Sequence, residues 1–99
     1  MSNIEYENGI VIDLVTAMLG SISNNFRRVS VKVVEDDIRL EFVLQEESEE
    51  DREEISDIEF EFEALQVTSI KVDIDVLVTT EDLGTLHRFG RAIFVRREP

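Results

Sequence analysis

The sequence predicts an α+β fold in the order α-β-β-α-β-β, with a four-stranded antiparallel sheet and two helices packed on one of its faces. Two segments carry apolar residues at helical spacing, and four short segments alternate apolar and polar residues as half-buried strands do. The chain has 99 residues, of which 42% are hydrophobic, and this is enough for one modest core. We therefore predict a single domain over residues 1–99.

The first predicted helix starts at Ile10, after a polar segment in which Asn8-Gly9 is expected to loosen the helix start. Gly20 is suited to the position just past the last turn, where a left-handed backbone is common. The predicted buried stripe follows helical spacing and consists of Ile10, Val11, Leu14, Val15, Met18 and Ile22.

The next two elements are predicted to form a β-hairpin. Valines alternate with polar residues from Val29 to Val33, and a second alternating run extends from Ile38 to Leu44. Between them the run Glu35-Asp36-Asp37 has the composition of a tight turn, and short turns join antiparallel strands.

Segment 46–63 carries most of the net charge. It contains eleven carboxylates and one base, Arg52, so its net charge is −10 of the −13 carried by the whole chain. Its apolar residues fit a helical stripe through Ile55, Ile58, Phe62 and Leu65, but alternation from Ile58 to Ala64 also fits a strand. Length and the high helix propensity of Glu favour a helix, with Ser48 as its N-cap.

A helix in this segment places like charges at i,i+4. Five such pairs cost about 1–2.5 kcal/mol together before screening by salt. A typical domain is stable by only about 5–15 kcal/mol, so this repulsion removes a noticeable part of the free energy of unfolding. The pairs are Glu49/Glu53, Glu50/Glu54, Glu53/Asp57, Asp57/Glu61 and Glu59/Glu63.

The C-terminal third is predicted to contribute two more strands. The first alternates from Ile70 to Val78, and the second runs from Phe89 to Val95 after a loop that contains Gly84. Four arginines near the C-terminus are expected to pair internally with segment 46–63 rather than with nucleic acid. They are Arg88, Arg91, Arg96 and Arg97.

Several classes of function are disfavoured by what the sequence contains. His87 is the only histidine and is expected on the surface, so a nucleophile with a histidine base is not indicated. Asp73 and Asp75 share a strand face but lack an oxygen-rich glycine loop, so we expect no metal and no cofactor. The absence of cysteine fits a reducing cytoplasm, and no apolar run is long enough to span a membrane. A net charge of −13 disfavours nucleic acid and anionic membranes as partners.

Recognition of a basic protein is the function that these residues favour. A row of carboxylates attracts a positively charged partner and speeds the encounter. On a helical wheel Phe60 points outward among Glu49, Glu53 and Asp57, and an exposed aromatic ringed by charge is typical of an interface anchor. The alternative is a helix that rolls to bury both Phe60 and Phe62. The predicted partner-binding residues are Glu46, Glu49, Glu50, Glu53, Asp57, Phe60 and Glu61, with Asp36 and Asp37 as a second acidic patch.

The chain resembles the small acidic immunity proteins of bacterial toxin–immunity systems. The resemblance lies in its size, its single acidic element, and the runs MLGSISNNFRRVSV and EEDREEISDIEFEFEAL. Proteins of this kind are cytoplasmic partners that block a cognate toxin, often a nuclease. The resemblance implies a non-enzymatic inhibitor, but it transfers no functional residue by position.

The expected function is therefore binding and neutralisation of a basic toxin, a nuclease by the resemblance, through the acidic surface. The alternative is an assembly or housekeeping domain in which the charge serves solubility only. In that case an edge of the sheet is expected to pair with another copy of the chain to form a homo-oligomer. A hydrolase that uses the carboxylates is the third and least favoured class.

Overall fold

The computed structural model describes residues 4–98, which form two helices and one four-stranded mixed sheet. The α+β class is thus confirmed. Across the sheet the strands lie in the order β3-β2-β1-β4, so β3 and β4 are the two edges. Along the chain the elements are α1 (Ile4–Met18), β1 (Phe26–Val34), β2 (Asp37–Leu44), α2 (Glu49–Ala64), β3 (Lys71–Val78) and β4 (Arg91–Val95).

The prediction that the whole sheet is antiparallel is wrong. Strand β1 is antiparallel to β2 and β4, but β3 pairs parallel with β2, from Asp37 opposite Lys71 to Leu44 opposite Val78. The reason is α2, which lies between β2 and β3 in the chain. A crossover helix returns the chain to the end of the sheet where the previous strand began, so the next strand runs parallel.

The core lies between the helices and one face of the sheet. Alternate residues of β1 and β2, such as Val29, Leu40 and Phe42, are fully buried there together with Leu14 of α1 and Ile58 of α2. Both helices contribute to this one cluster and contact each other, so both pack on the same face. The predicted alternation of the hairpin strands is confirmed.

Helix α1 begins earlier than predicted, at Ile4 rather than Ile10. Gly9 lies inside the helix, and a Cβ built there would meet no atom within 4 Å, so nothing in the fold requires glycine at this position. The predicted stop at Gly20 is consistent with its left-handed backbone, φ 81°. Val15 was expected in the buried stripe, but it is 42% exposed. The buried residues of α1 are Ile10, Leu14, Ala17 and Met18, and they form a narrower stripe than the one predicted.

The predicted hairpin between β1 and β2 is confirmed, with a shorter turn. Glu35 has a φ of 56°, the only positive value for a non-glycine residue among those described, and Asp36 completes the turn. Asp37 already belongs to β2, where it lies opposite Val34.

The C-terminal segment is held to the sheet by a buried arginine. Arg27 is 4% exposed, and its Nε and Nη2 donate to both carboxylate oxygens of Glu98 at 2.9 and 2.8 Å. Its Nη1 donates to the carbonyl oxygen of Thr79 at 2.7 Å, which ties the end of β3 to the same point. The hydrogen bonds from Arg27, reinforced by Arg96, lower the pKa of Glu98 to about 2.

The expectation that the C-terminal arginines pair with segment 46–63 is wrong, because none of the ion pairs within residues 4–98 joins one of them to that segment. Arg91 donates to Asn8 Oδ1 at 3.0 Å and lies 3.9 Å from a carboxylate oxygen of Glu7, so its partners are on α1. Arg96 pairs with Glu98 at 2.8 Å. Pairing between distant segments depends on the tertiary fold, which the sequence pattern did not reveal.

The last strand starts at Arg91 rather than at Phe89. Gly90 has a φ of 52°, and a Cβ there would lie 2.3 Å from the carbonyl oxygen of Val31. The chain therefore turns at Gly90 in close contact with β1, and only then extends as β4.

The loop between β3 and β4 reaches the helix-free face of the sheet. There Arg28, which is 6% exposed, donates through Nη2 to Glu41 Oε1 at 2.8 Å and to the carbonyl oxygen of His87 at 3.0 Å. An ion pair between Arg28 and Glu41 thus joins β1 and β2 on this face.

Candidate partner-binding surface

Helix α2 starts with the predicted N-cap. The backbone of Ser48 is extended, and its Oγ accepts a hydrogen bond from the N–H of Asp51 at 3.1 Å. The side chain of Asp51 is buried and accepts from Ser23 Oγ at 2.9 Å and Asn25 Nδ2 at 2.8 Å. Asp51 therefore fixes α2 to the segment before β1 and differs in role from the other acids of the helix.

The orientation of α2 is set by its apolar residues. Ile55, Ile58 and Phe62 are buried against the sheet, as the helical stripe predicts. Leu65 was expected to continue this stripe, but it is the C-cap residue and is 44% exposed, because the helix ends at Ala64.

Phe60 lies on the solvent side of α2, as predicted, with 76% of its surface exposed. Its neighbours one turn away along the helix are Ser56 and Ala64, which are small and also exposed. The ring therefore projects beyond the surface around it, and the adjacent turns also carry Asp57 and Glu63.

The predicted acidic residues share this surface. Glu63 is exposed one turn from Phe60 as well, and the prediction missed it although i+3 spacing from Phe60 indicates it. Glu46 lies in the segment before the helix, where its backbone N–H and C=O bond the side chain of Asn25 at 2.9 and 2.8 Å. We call the following exposed residues the α2 acidic surface: Glu46, Glu49, Glu50, Glu53, Asp57, Phe60, Glu61 and Glu63.

The charge of this surface is not compensated within the described part of the chain. The one base of the helix, Arg52, forms a two-point ion pair with Glu47, which lies before the helix. Their hydrogen bonds raise the pKa of Arg52 and lower that of Glu47. Within residues 4–98, no carboxylate of α2 itself is in an ion pair.

Crowding of the carboxylates is visible at the C-terminal half of the helix. The pKa of Glu59 is raised, first by partial burial and then by the charge of Glu63 four residues on and a hydrogen bond to it. This is one of the five like-charge pairs that the sequence predicts.

The second acidic patch is separate from the start of α2. Asp36 and Asp37 are exposed at the hairpin, where β2 begins, whereas Glu46 follows the end of β2. The seven steps along β2 span about 23 Å at roughly 3.3 Å per residue. Asp37 lies opposite Lys71 of β3, so the hairpin acids are at the end of the sheet that follows the C-terminus of α2.

From residue 4 to residue 98, no group of three or more His, Asp or Glu side chains is close enough to hold a metal ion. No helix in the same range has the length and apolarity needed to cross a membrane.

These features define a class of protein: a small α+β domain that presents an acidic surface on one helix. Comparison with known families places it more narrowly. The chain belongs to the MafI2 immunity protein family, whose model matches residues 7–98. No curated protein matches the sequence.

Membership of this family confirms the resemblance to the immunity proteins of bacterial toxin–immunity systems. An immunity protein has a cognate toxin as its partner and neutralises that toxin.

Proposed function

We propose that this immunity protein binds a basic toxin through the α2 acidic surface and neutralises it by occupying its active groove. The chain acts as an inhibitor by binding, without catalysis of its own. The observation that carries the proposal is the set of exposed carboxylates on α2 that have no ion-pair partner within residues 4–98.

Uncompensated charge of this kind destabilises the folded protein, but it also creates a long-range electrostatic field around α2. The i,i+4 repulsions destabilise α2 by about 1–2.5 kcal/mol before screening. Burying the surface against lysine and arginine side chains of a toxin converts that repulsion into attraction and accelerates association.

Phe60 provides the apolar contact that charge alone lacks. Interfaces depend on a few buried anchors, in which aromatic residues are enriched, surrounded by a polar rim that excludes water. A ring that is 76% exposed and flanked by small side chains can enter a pocket on the partner without rearrangement of the helix.

A nuclease is the toxin class that this surface fits best. Nucleases bind phosphates with basic grooves, and a row of carboxylates on a helix imitates the charge of a nucleic acid backbone. The immunity protein then takes the place of the substrate, which explains neutralisation without any catalytic residue.

The proposal is tested by capture of the toxin from the source cell with the tagged protein, followed by binding measurements on the purified toxin. Phe60→Ala should weaken the complex by about 2 kcal/mol, or roughly 30-fold in Kd. The folded protein should be unaffected, because the side chain is exposed and alanine favours helices.

Val67→Ala is the matched control, because Val67 is fully exposed in the segment after α2. It should leave the Kd unchanged. If Phe60→Ala binds as tightly as the unmodified protein, or if the captured toxin does not cleave nucleic acid, the corresponding part of the proposal is wrong.

A second candidate is self-association through β3. This edge strand pairs with β2 over all eight of its residues without a bulge, so its other side offers a regular row of backbone groups to another strand. Sedimentation of the purified protein tests it: a dimer favours assembly, and a monomer excludes it.

A further inference from the structure

Strand β3 is one edge of the sheet, and half of its backbone groups point away from β2. The N–H of Thr79, directly after β3, donates to the carbonyl oxygen of Leu44 in β2 at 2.9 Å. Successive residues of a strand direct their N–H and C=O groups to opposite sides, so the odd-numbered residues of β3 bond to β2. The residues that direct these groups outward are Val72, Ile74, Val76 and Val78.

The two edges of the sheet differ in length and regularity. Strand β4 has five residues, and its register shifts where β1 passes from Val29 to Ser30. Strand β3 has eight residues and pairs with β2 without a shift. Proteins commonly shorten or distort an exposed edge strand, because a long regular edge recruits other strands. The edge that is suited to accept another strand is therefore β3.

The side chains of β3 are only partly covered. Those of the outward-bonding residues pack against the core, yet none of the residues of β3 is buried. By contrast, Leu40 and Phe42 on the neighbouring strand β2 are fully buried on the same face. An added strand with apolar residues on this face would cover the remaining exposed surface of β3.

On the helix-free face, β3 carries an uncompensated negative charge. Asp75 is exposed, lies opposite Glu41 of β2 and is in no ion pair within residues 4–98. Asp73, two residues earlier, lies opposite Arg39 and 3.9 Å from the amine of Lys71. A lysine or arginine on an added strand would supply the opposite charge that Asp75 lacks.

We propose that β3 accepts an extended segment of the toxin as a fifth strand of the sheet. This segment alternates apolar residues, placed beside Ile74 and Val76, with a basic residue placed beside Asp75. In this mode of recognition the backbone hydrogen bonds supply affinity and the alternating side chains supply specificity. The inference rests on the proposed function, since the strand belongs to the same basic toxin.

A second copy of this chain fits the edge less well. A two-fold dimer joined here runs its two β3 strands antiparallel, with even-numbered residues opposite even-numbered ones, because only these bond outward. The two longest overlaps are centred on Ile74 or on Asp75. They place Asp75 opposite Asp73 or Asp75 of the other copy, and like charges directly opposite each other destabilise a sheet. The net charge of −13 on each copy adds to this repulsion.

The first test needs no substitution. Amide hydrogen exchange, measured for each residue by NMR, is compared between the free protein and its complex with the purified toxin recovered by capture. The amides of Ile74 and Val76 should exchange at least roughly tenfold more slowly in the complex, because the added strand accepts hydrogen bonds from them. The amides of Asp73 and Leu77, which bond to β2 in both states, are the internal controls.

Two substitutions test the backbone and the charge separately. Val76→Pro removes one outward N–H, at a position where an edge strand tolerates proline, and Val76→Ala is the matched control that keeps this N–H. The proline variant should dissociate from the toxin roughly tenfold faster than the alanine variant, since strand pairing acts mainly on dissociation. Asp75→Asn should speed dissociation roughly 2- to 5-fold at low salt and less at high salt, whereas Glu81→Gln in the following loop should not.

The outcomes separate this inference from the proposed function. If the amides of Ile74 and Val76 exchange equally fast in the complex and in the free protein, the edge is not part of the interface, and the role of the α2 acidic surface is untouched. Protection that appears without toxin and grows with protein concentration would assign the edge to a second copy and overturn the inference. Absence of any toxin complex removes the proposed function and this inference together.

Discussion

Reversal of two charges on α2 should stabilise the protein while it slows binding. In the double variant Glu53→Lys/Glu61→Lys, three like-charge pairs become opposite-charge pairs. Both residues are exposed and in no ion pair within the described chain, so no native contact is lost. The affected pairs are Glu49/Glu53, Glu53/Asp57 and Asp57/Glu61.

The magnitude follows from the helix geometry. Each i,i+4 pair changes from a cost of about 0.2–0.5 kcal/mol to a gain of similar size, so three pairs stabilise by about 1–3 kcal/mol before screening. For a domain of this size each kcal/mol raises Tm by about 4–8 °C. We therefore expect Tm to rise by at least about 4 °C at low salt, and the gain to shrink as salt is added.

The same change should slow association with the toxin roughly tenfold at low salt, because the steering field of α2 is reduced. The control is Glu5→Lys/Glu81→Lys, which changes the net charge equally but alters α1 and the loop after β3. Thermal unfolding and biosensor kinetics at several salt concentrations measure both effects. A lower Tm would refute the repulsion argument, and an association rate equal to that of the control would refute steering by α2.

Two further predictions concern the contacts that hold the binding surface and the C-terminus. Asp51→Ala should lower the free energy of unfolding by about 2–4 kcal/mol, because it leaves the donors of Ser23 and Asn25 without their charged acceptor. Urea unfolding measures this loss. The control is Glu50→Ala at an exposed neighbour, which should lower the free energy of unfolding by less than about 0.5 kcal/mol. Glu98→Gln should destabilise the protein at neutral pH and converge with the unmodified protein in acid. The folded pKa of Glu98, about 2, lies below the unfolded value of about 4.3, so its contribution is present above pH 4.3 and is lost as the pH falls toward 2. Urea titrations across that range measure the difference, and a constant difference would contradict the ion pair with Arg27.

Local patterns in the sequence were sufficient for much of the fold. The alternating residues of β1 and β2, the turn at Glu35, and the N-cap at Ser48 were all predicted, because each depends on neighbours within a few residues. For Phe60 the helical spacing left two orientations open, outward or buried beside Phe62, and the structure shows the outward one.

Other features depended on contacts between distant segments. Asp51 lies on the buried stripe of α2, four residues before Ile55, but the sequence does not reveal that Ser23 and Asn25 supply its hydrogen-bond donors. Val15 fits the apolar spacing of α1 but lies outside the narrow strip that the sheet covers. The partners of Asp51 and the exposure of Val15 are decided by which element packs against each helix, and this is not a property of the helical segment alone.

Periodicity and composition are properties of each segment alone, and they were sufficient to predict the α+β class, the acidic helix and its negative charge. Only the tertiary structure decided that β3 runs parallel to β2 at one edge, that β4 lies at the other, and that α1 leaves an apolar stripe uncovered. The order of the strands, and the side of each helix that is buried against the sheet, depend on how the crossover through α2 returns the chain to the sheet. That choice depends on the packing of the whole chain, which no single segment encodes.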